Sequence, residues 1–154
     1  MTIWLASFRG NHKNLVNRFG SEFIRLMCKG VYSHNEIVIG ESPFEDECRC
    51  ISSSSIEGGV REKRMQLNQA DWDVIRVDAD IERIEWWIGI YDGHPFDYFG
   101  TVAVRLPFLV REHPTKFFCS EACGDMLGLD EPWRLDPCGL HVVAGSFLEI
   151  HESS

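Results

Sequence analysis

The chain is 154 residues long, 44% hydrophobic and 12% aromatic, which is enough apolar material to bury one core over residues 1–154 without a metal or a disulfide framework. Its formal net charge of −9, from 24 acidic side chains against 15 Lys and Arg, argues against a phosphate-tracking surface, so nucleic acid is not an expected partner. No run of about 18 apolar residues occurs, and the first residues lack the basic start and long apolar stretch of a secretory signal, so a cytoplasmic protein without a transmembrane segment is expected.

Residues 3–8 alternate weakly and stop at Arg9-Gly10, as a short first strand does. Asn11 then offers a helix N-cap. Leu15, Val16, Phe19, Phe23, Ile24 and Met27 recur at helical spacing up to Gly30, which predicts an amphipathic helix whose apolar face, with Cys28, is core. Residues 34–39 alternate as a strand and end at Gly40. The acidic segment 41–47 links them to a second strand at 48–54, so the two read as a hairpin with a solvated loop. Ser52 to Ser55 run into Gly58-Gly59-Val60-Arg61, where paired glycines let the chain turn back close to its neighbours.

A further strand is predicted over 72–77. Asp80 caps a helix carrying Ile81, Ile84, Trp87, Ile88 and Tyr91 and ending at Gly93, with Trp86 and Trp87 assigned to the core. Residues 93–100 form a turn-rich aromatic segment, and 102–110 an apolar run broken by Pro107. A helix opens at Cys119 and stops near Gly128. The segment 132–137 is a loop leading into a short helix or strand in the tail.

Chemistry concentrates at Phe117-Phe118-Cys119-Ser120-Glu121-Ala122-Cys123, where an apolar run meets the start of a helix. N–H groups and the positive dipole end at a helix N-terminus favour thiolate over thiol, and the thiolate is the reactive form. Cys119 is therefore the candidate nucleophile, expected in a partly exposed cleft. His34 is the candidate base, and Glu36 shares its strand face and is the nearest orienting group. Ser52 or Ser54 on the next strand could take that third role instead. A functional serine within 52–55 is the minority view beside plain loop or edge-strand chemistry. The oxyanion would be held partly by the Cys119 backbone N–H.

The remaining cysteines, Cys28, Cys48, Cys50, Cys123 and Cys138, are expected to be reduced. Neither Cys48-x-Cys50 nor Cys119-x-x-x-Cys123 has the spacing of a zinc knuckle, and no metal or cofactor is expected.

The order of these motifs resembles the circularly permuted NlpC/P60 cysteine peptidases, the papain-like branch in which histidine precedes cysteine, and most of all their small bacteriophage members. The resemblance rests on Tyr32 to Glu36, the serine-rich strand running to Gly58-Gly59-Val60-Arg61, Trp72, the turn from Gly93 to Gly100, Phe118 to Leu127, and Asp136-Pro137 through Leu140. It implies an α+β fold, with helices packed on an antiparallel barrel-like sheet. It also implies a thiol hydrolase of amide bonds, in bacterial cell-wall peptides among other substrates, with Cys119 as nucleophile, His34 as base and Glu36 as third member, acting in the host cytoplasm if phage-encoded. An acyltransferase, deamidase or lipid amidase with the same pair, or an inactive binding or structural protein, are the alternatives. Two positions differ from the family: Phe96 stands where a tyrosine is frequent, and Asn35 where an apolar strand residue is usual.

Overall fold

Leu5, Ile37 and Ile51 lie side by side across three strands, and Trp4, Val38 and Cys50, each one residue away along its strand, do the same on the opposite face. Both faces of this sheet are therefore apolar and both are covered. The computed structural model describes residues 1–10, 20, 22–26, 29–104 and 112–152. Five strands, β1 (Ile3–Phe8), β2 (His34–Ile39), β3 (Cys48–Ser54), β4 (Gly59–Met65) and β5 (Trp72–Arg76), form one antiparallel sheet in the order β4-β3-β2-β1-β5.

One face carries Ile3, Leu5, Ile37 and Ile51 into the main core. Helices α1 (Ile81–Tyr91), α3 (Cys119–Met126) and α4 (Pro137–Glu152) cover that face, while α2 (Tyr98–Ala103) lies between α1 and α3 in the chain. α3 packs on β2 and β3, and α4 on β1 and β5. The other face holds a smaller cluster of Ala6, Val38, Cys48, Cys50 and Leu67. Met65 from one edge strand and Trp72 from the other both pack on this cluster. Among the described residues β4 pairs with no strand but β3, and β5 with none but β1, leaving an open sheet where a barrel-like one was expected.

β4 was not predicted. Its sequence, Gly-Val-Arg-Glu-Lys-Arg-Met, hides strand alternation because both sides carry charge, Arg61 and Lys63 on the half-buried side and Glu62 and Arg64 on the exposed one. α1 begins as predicted, with Asp80 Oδ1 accepting the Glu82 N–H at 2.9 Å. Trp87 is fully buried, whereas Trp86 is exposed, correcting its assignment to the core. Adjacent helix residues point about 100° apart, so only one of the two can face inward.

The predicted helix after Asn11 falls largely outside the described residues, as do Cys28 and most of the apolar run at 102–110. Residues 22–26 are helical, but of the predicted apolar face Phe23 is exposed and Ile24 only half-buried, so the described part of that helix does not bury the face expected of it. No helix among the described residues is long and apolar enough to cross a membrane.

Candidate active site

The segment 93–97 fixes where Cys119 sits. Its backbone bonds to the start of β4 on one side, with Val60 N–H donating to His94 O at 2.8 Å and Phe96 N–H to Gly58 O at 3.0 Å. On the other side Asp97 N–H donates to Phe117 O at 3.0 Å, an oxygen that also accepts from the Ser53 hydroxyl at 2.6 Å. Gly59 makes this close approach possible, since a Cβ there would lie 2.0 Å from His94 O. Phe117 and Phe118 are thereby pinned beside β3 and β4, and the chain turns into α3 at the next residue.

Phe118 is the extended N-cap of α3, and its N–H donates to Glu121 Oε2 at 3.3 Å. Ser120 in the first turn donates to Leu135 O at 2.7 Å, tying the helix start to the loop before α4. Cys119 is thus the first helical residue, with the N–H groups of its turn lacking intrahelical acceptors. Gly128, with φ of 78°, takes the left-handed conformation that ends the helix.

His34 opens β2, and its ring lies beside Phe8 of β1 and Trp72 of β5, which pair with each other across the sheet. Its Nε2 is 2.9 Å from Glu36 Oε1. The Cys119 thiol lies close enough to the ring to favour its charged form. Burial works against the imidazolium, but Cys119 and Glu36 outweigh it and lift the His34 pKa from 6.5 to about 9.

Glu36 is 1% exposed, and a carboxylate so placed needs compensation. Arg61 of β4 supplies it by donating to both oxygens, from Nη1 to Oε2 at 2.7 Å and from Nη2 to Oε1. Burial alone would raise the Glu36 pKa, yet Arg61 and His34 hold it at about 2. The site is therefore a continuous chain, Cys119, His34, Glu36 and Arg61, with a permanent anion beside the imidazole. Arg61 was not among the predicted site residues. Its motif, Gly58-Gly59-Val60-Arg61, was noted for its glycines and for its place in the motif order, with no role given to the arginine.

The serines offered as alternatives to Glu36 are engaged elsewhere: Ser52 donates to Asn35 O at 2.6 Å, and Ser54 accepts from Glu57 N–H at 3.4 Å. Asn35 reaches across the helix-side face to Ser7 at 2.9 Å, and Ser7 is in turn 2.8 Å from His141 Nδ1. Phe96 is buried and packs edge-on against Tyr98, whose hydroxyl donates to Ser55 O at 3.1 Å. Glu121 is buried close to Cys119. Burial, with Asp97, Glu112 and Asp125 nearby, raises its pKa to about 8 against the pull of the Phe118 N–H.

Cys119 is only 5% exposed, less than the partly open thiol expected, because Phe96, Phe118, Phe23 and Ile24 enclose a cavity of about 30 Å³ at the site. His34, at 20% side-chain exposure, also borders a wider cleft of about 530 Å³ walled by Phe8, Ile56, Met65, Trp72 and Tyr98. Cys48, Cys50, Cys119 and Cys123 are all free thiols. Burial raises the Cys50 pKa to about 12 and that of Cys123 well above its ordinary value. Among the described residues no group of three or more His, Cys, Asp or Glu is placed to hold a metal.

Compared with known proteins, the chain matches no family model, no curated protein and no solved structure.

Proposed function

We propose that this protein is a cysteine hydrolase of amide bonds, built on a permuted papain-like fold of the NlpC/P60 kind and acting on peptides such as those of the bacterial cell wall. One observation carries the proposal: a helix-start cysteine and a strand histidine interact, and the histidine is backed by a buried carboxylate held ionised by arginine. The resemblance in motif order supports the choice of family and substrate.

In this mechanism the Cys119 thiolate attacks the amide carbonyl carbon, forming an S–C bond while the carbonyl electron pair moves onto oxygen. Collapse of the intermediate breaks the C–N bond, and the His34 imidazolium gives its proton to the departing nitrogen. A thioester remains. Water, deprotonated by His34, attacks that thioester, and its cleavage releases a carboxylic acid and restores the starting pair. Glu36 orients the ring and stabilises its charged form throughout.

A second reaction on the same pair, transfer or hydrolysis of an apolar acyl group, is favoured by the wider cleft. Its walls are aromatic and aliphatic, and its cations are already committed, Arg61 to Glu36 and Lys63 to Glu57.

Site-resolved iodoacetamide labelling tests the nucleophile. Cys119 should alkylate fastest of the cysteines in the native protein and lose that advantage in His34→Ala, and fragments of peptidoglycan stem peptides should then be hydrolysed by the native form only. Equal rates at Cys119 and Cys138 in the native protein would defeat the hydrolase assignment.

A further inference from the structure

Ser33 precedes the candidate base, and its hydroxyl oxygen has no hydrogen-bond partner among the described residues although the residue is 3% exposed. Buried hydroxyls are normally satisfied, and an exception calls for a reason. Asn35 Oδ1 is in the same position. The two differ in their surroundings. Asn35 borders neither the small cavity nor the wide cleft, while Ser33 lines both, together with His34.

The small cavity also has Cys119 and Phe118 in its wall, so it lies between the start of β2 and the start of α3. An acyl carbonyl attacked by the Cys119 sulfur must place its oxygen within this space. The chain backbone holds Ser33 firmly, its N–H donating to Phe8 O at 3.0 Å. Asp136 borders the cavity as well, but its Oδ1 is engaged by the Gly139 N–H at 2.7 Å. Phe96, also in the cavity wall, is a hydrocarbon ring with nothing to donate.

We infer that the Ser33 hydroxyl is a catalytic hydrogen-bond donor that, with the first-turn N–H groups of α3, binds the carbonyl oxygen of the substrate as it becomes an oxyanion. The inference rests on the proposed Cys119 chemistry. In the acylation step the thiolate forms the S–C bond, the carbonyl electron pair moves to oxygen, and Ser33 donates to that oxygen without losing its proton. When the pair returns, the leaving group departs and the hydroxyl is free again. A donor aimed at developing charge lowers the barrier to this step and does nothing for reactions that develop no oxyanion.

Two reagents separate these effects. Iodoacetamide is attacked at carbon with loss of iodide and builds no oxyanion, whereas p-nitrophenyl acetate acylates through one, releasing p-nitrophenolate and leaving an acetyl thioester. Ser33→Ala should slow acetylation of Cys119 by about 10²-fold, leave its alkylation by iodoacetamide unchanged, and melt no lower than the native protein, since a buried unpaired hydroxyl has been removed. Ser33→Thr, which keeps the hydroxyl, should recover most of the lost rate. Unchanged acetylation in Ser33→Ala, with Cys119 still alkylated preferentially, would overturn the role of Ser33 alone. Equal slowing of both reactions would also overturn it, since Ser33 would then act on the thiolate or its packing. Native protein in which Cys119 is neither alkylated preferentially nor acetylated would remove the hydrolase assignment and this inference together.

Discussion

Arg61 of β4 reaches past the intervening β3 to donate to both carboxylate oxygens of Glu36 on β2, and one of those oxygens, Oε1, also lies 2.9 Å from His34 Nε2. The arginine also donates from Nε to Glu57, so each of its three guanidinium nitrogens donates to an acidic side chain. Removing one partner of such a pair strands the other in a low-dielectric interior. Arg61→Ala should therefore destabilise the protein by about 3–5 kcal/mol, read as a lowered urea midpoint. Arg61→Lys keeps the charge but cannot reproduce the two-pronged contact, so it should fall between the two. A native-like midpoint for Arg61→Ala would show that Glu36 does not depend on it.

The charge state of His34 sets the alkaline limit of turnover. Expulsion of an amide nitrogen needs the imidazolium, and burial, opposed by Cys119 and Glu36, leaves the His34 pKa at about 9. Turnover should hold up through neutral pH and decline as pH rises through about 9. Glu36→Gln removes one of the two groups that oppose burial, so the decline should move to lower pH and the maximal rate should fall without vanishing. A pH profile of kcat/KM for both forms checks this; the same alkaline limb in Glu36→Gln would mean that Glu36 does not act through His34.

Much of this arrangement was legible in the chain because it is local. The alternation of His34, Glu36 and Val38 puts the first two on one strand face, and Asp80 marks a helix start that the structure keeps. What escaped is set by partners distant in sequence. Arg61 is half-buried because a carboxylate 25 residues earlier holds it, and β4 reads as a charged loop until β3 is known to pair with it. Trp86 and Trp87 are indistinguishable by composition, and only packing against Tyr91, Phe117 and Asp125 selects the second. Ser33 carries no sequence signal at all, since a missing partner is a property of the fold.

Stability should peak on the acid side of neutrality, because two buried carboxyl groups and the half-buried His34 titrate differently in the folded and unfolded chain. Glu36 is held at about 2 against an ordinary 4.5, despite burial, by Arg61 and His34, so between those values only the unfolded chain binds the proton and stability rises with pH. Glu121 is raised by burial from 4.5 to about 8, so across that range the folded chain keeps a proton the unfolded chain has lost and stability falls. His34, at about 9 against 6.5, adds a further fall over its own interval. Each group contributes a slope of at most about 1.4 kcal/mol per pH unit. Glu121→Gln keeps an acceptor for the Phe118 N–H and has no proton to lose. Its melting temperature should decline less than the native one between pH 5 and 8, and parallel curves would mean that Glu121 titrates normally.

A structural and a catalytic cysteine respond differently to truncation, and Trp87 provides the reference for a core residue. Its ring is fully buried, packs against Tyr91 and Phe117 at centroid distances of 5.0 and 5.3 Å, and donates from Nε1 to Asp125 Oδ2 at 2.8 Å. Trp87→Ala should open a cavity between α1 and α3 and cost about 3–5 kcal/mol, lowering the melting temperature and all functions together. Cys119 is nearly covered as well, but its sulfur borders an existing cavity, so truncation forfeits fewer contacts. Cys119→Ala should cost about 1 kcal/mol or less and abolish acylation by p-nitrophenyl acetate, and His34→Ala should abolish turnover by removing the proton carrier. Melting curves run beside the acylation assay separate the two cases. Should Cys119→Ala unfold as readily as Trp87→Ala, the thiol belongs to the core, and the chain of groups from Cys119 to Arg61 is a structural network that happens to contain a cysteine and a histidine.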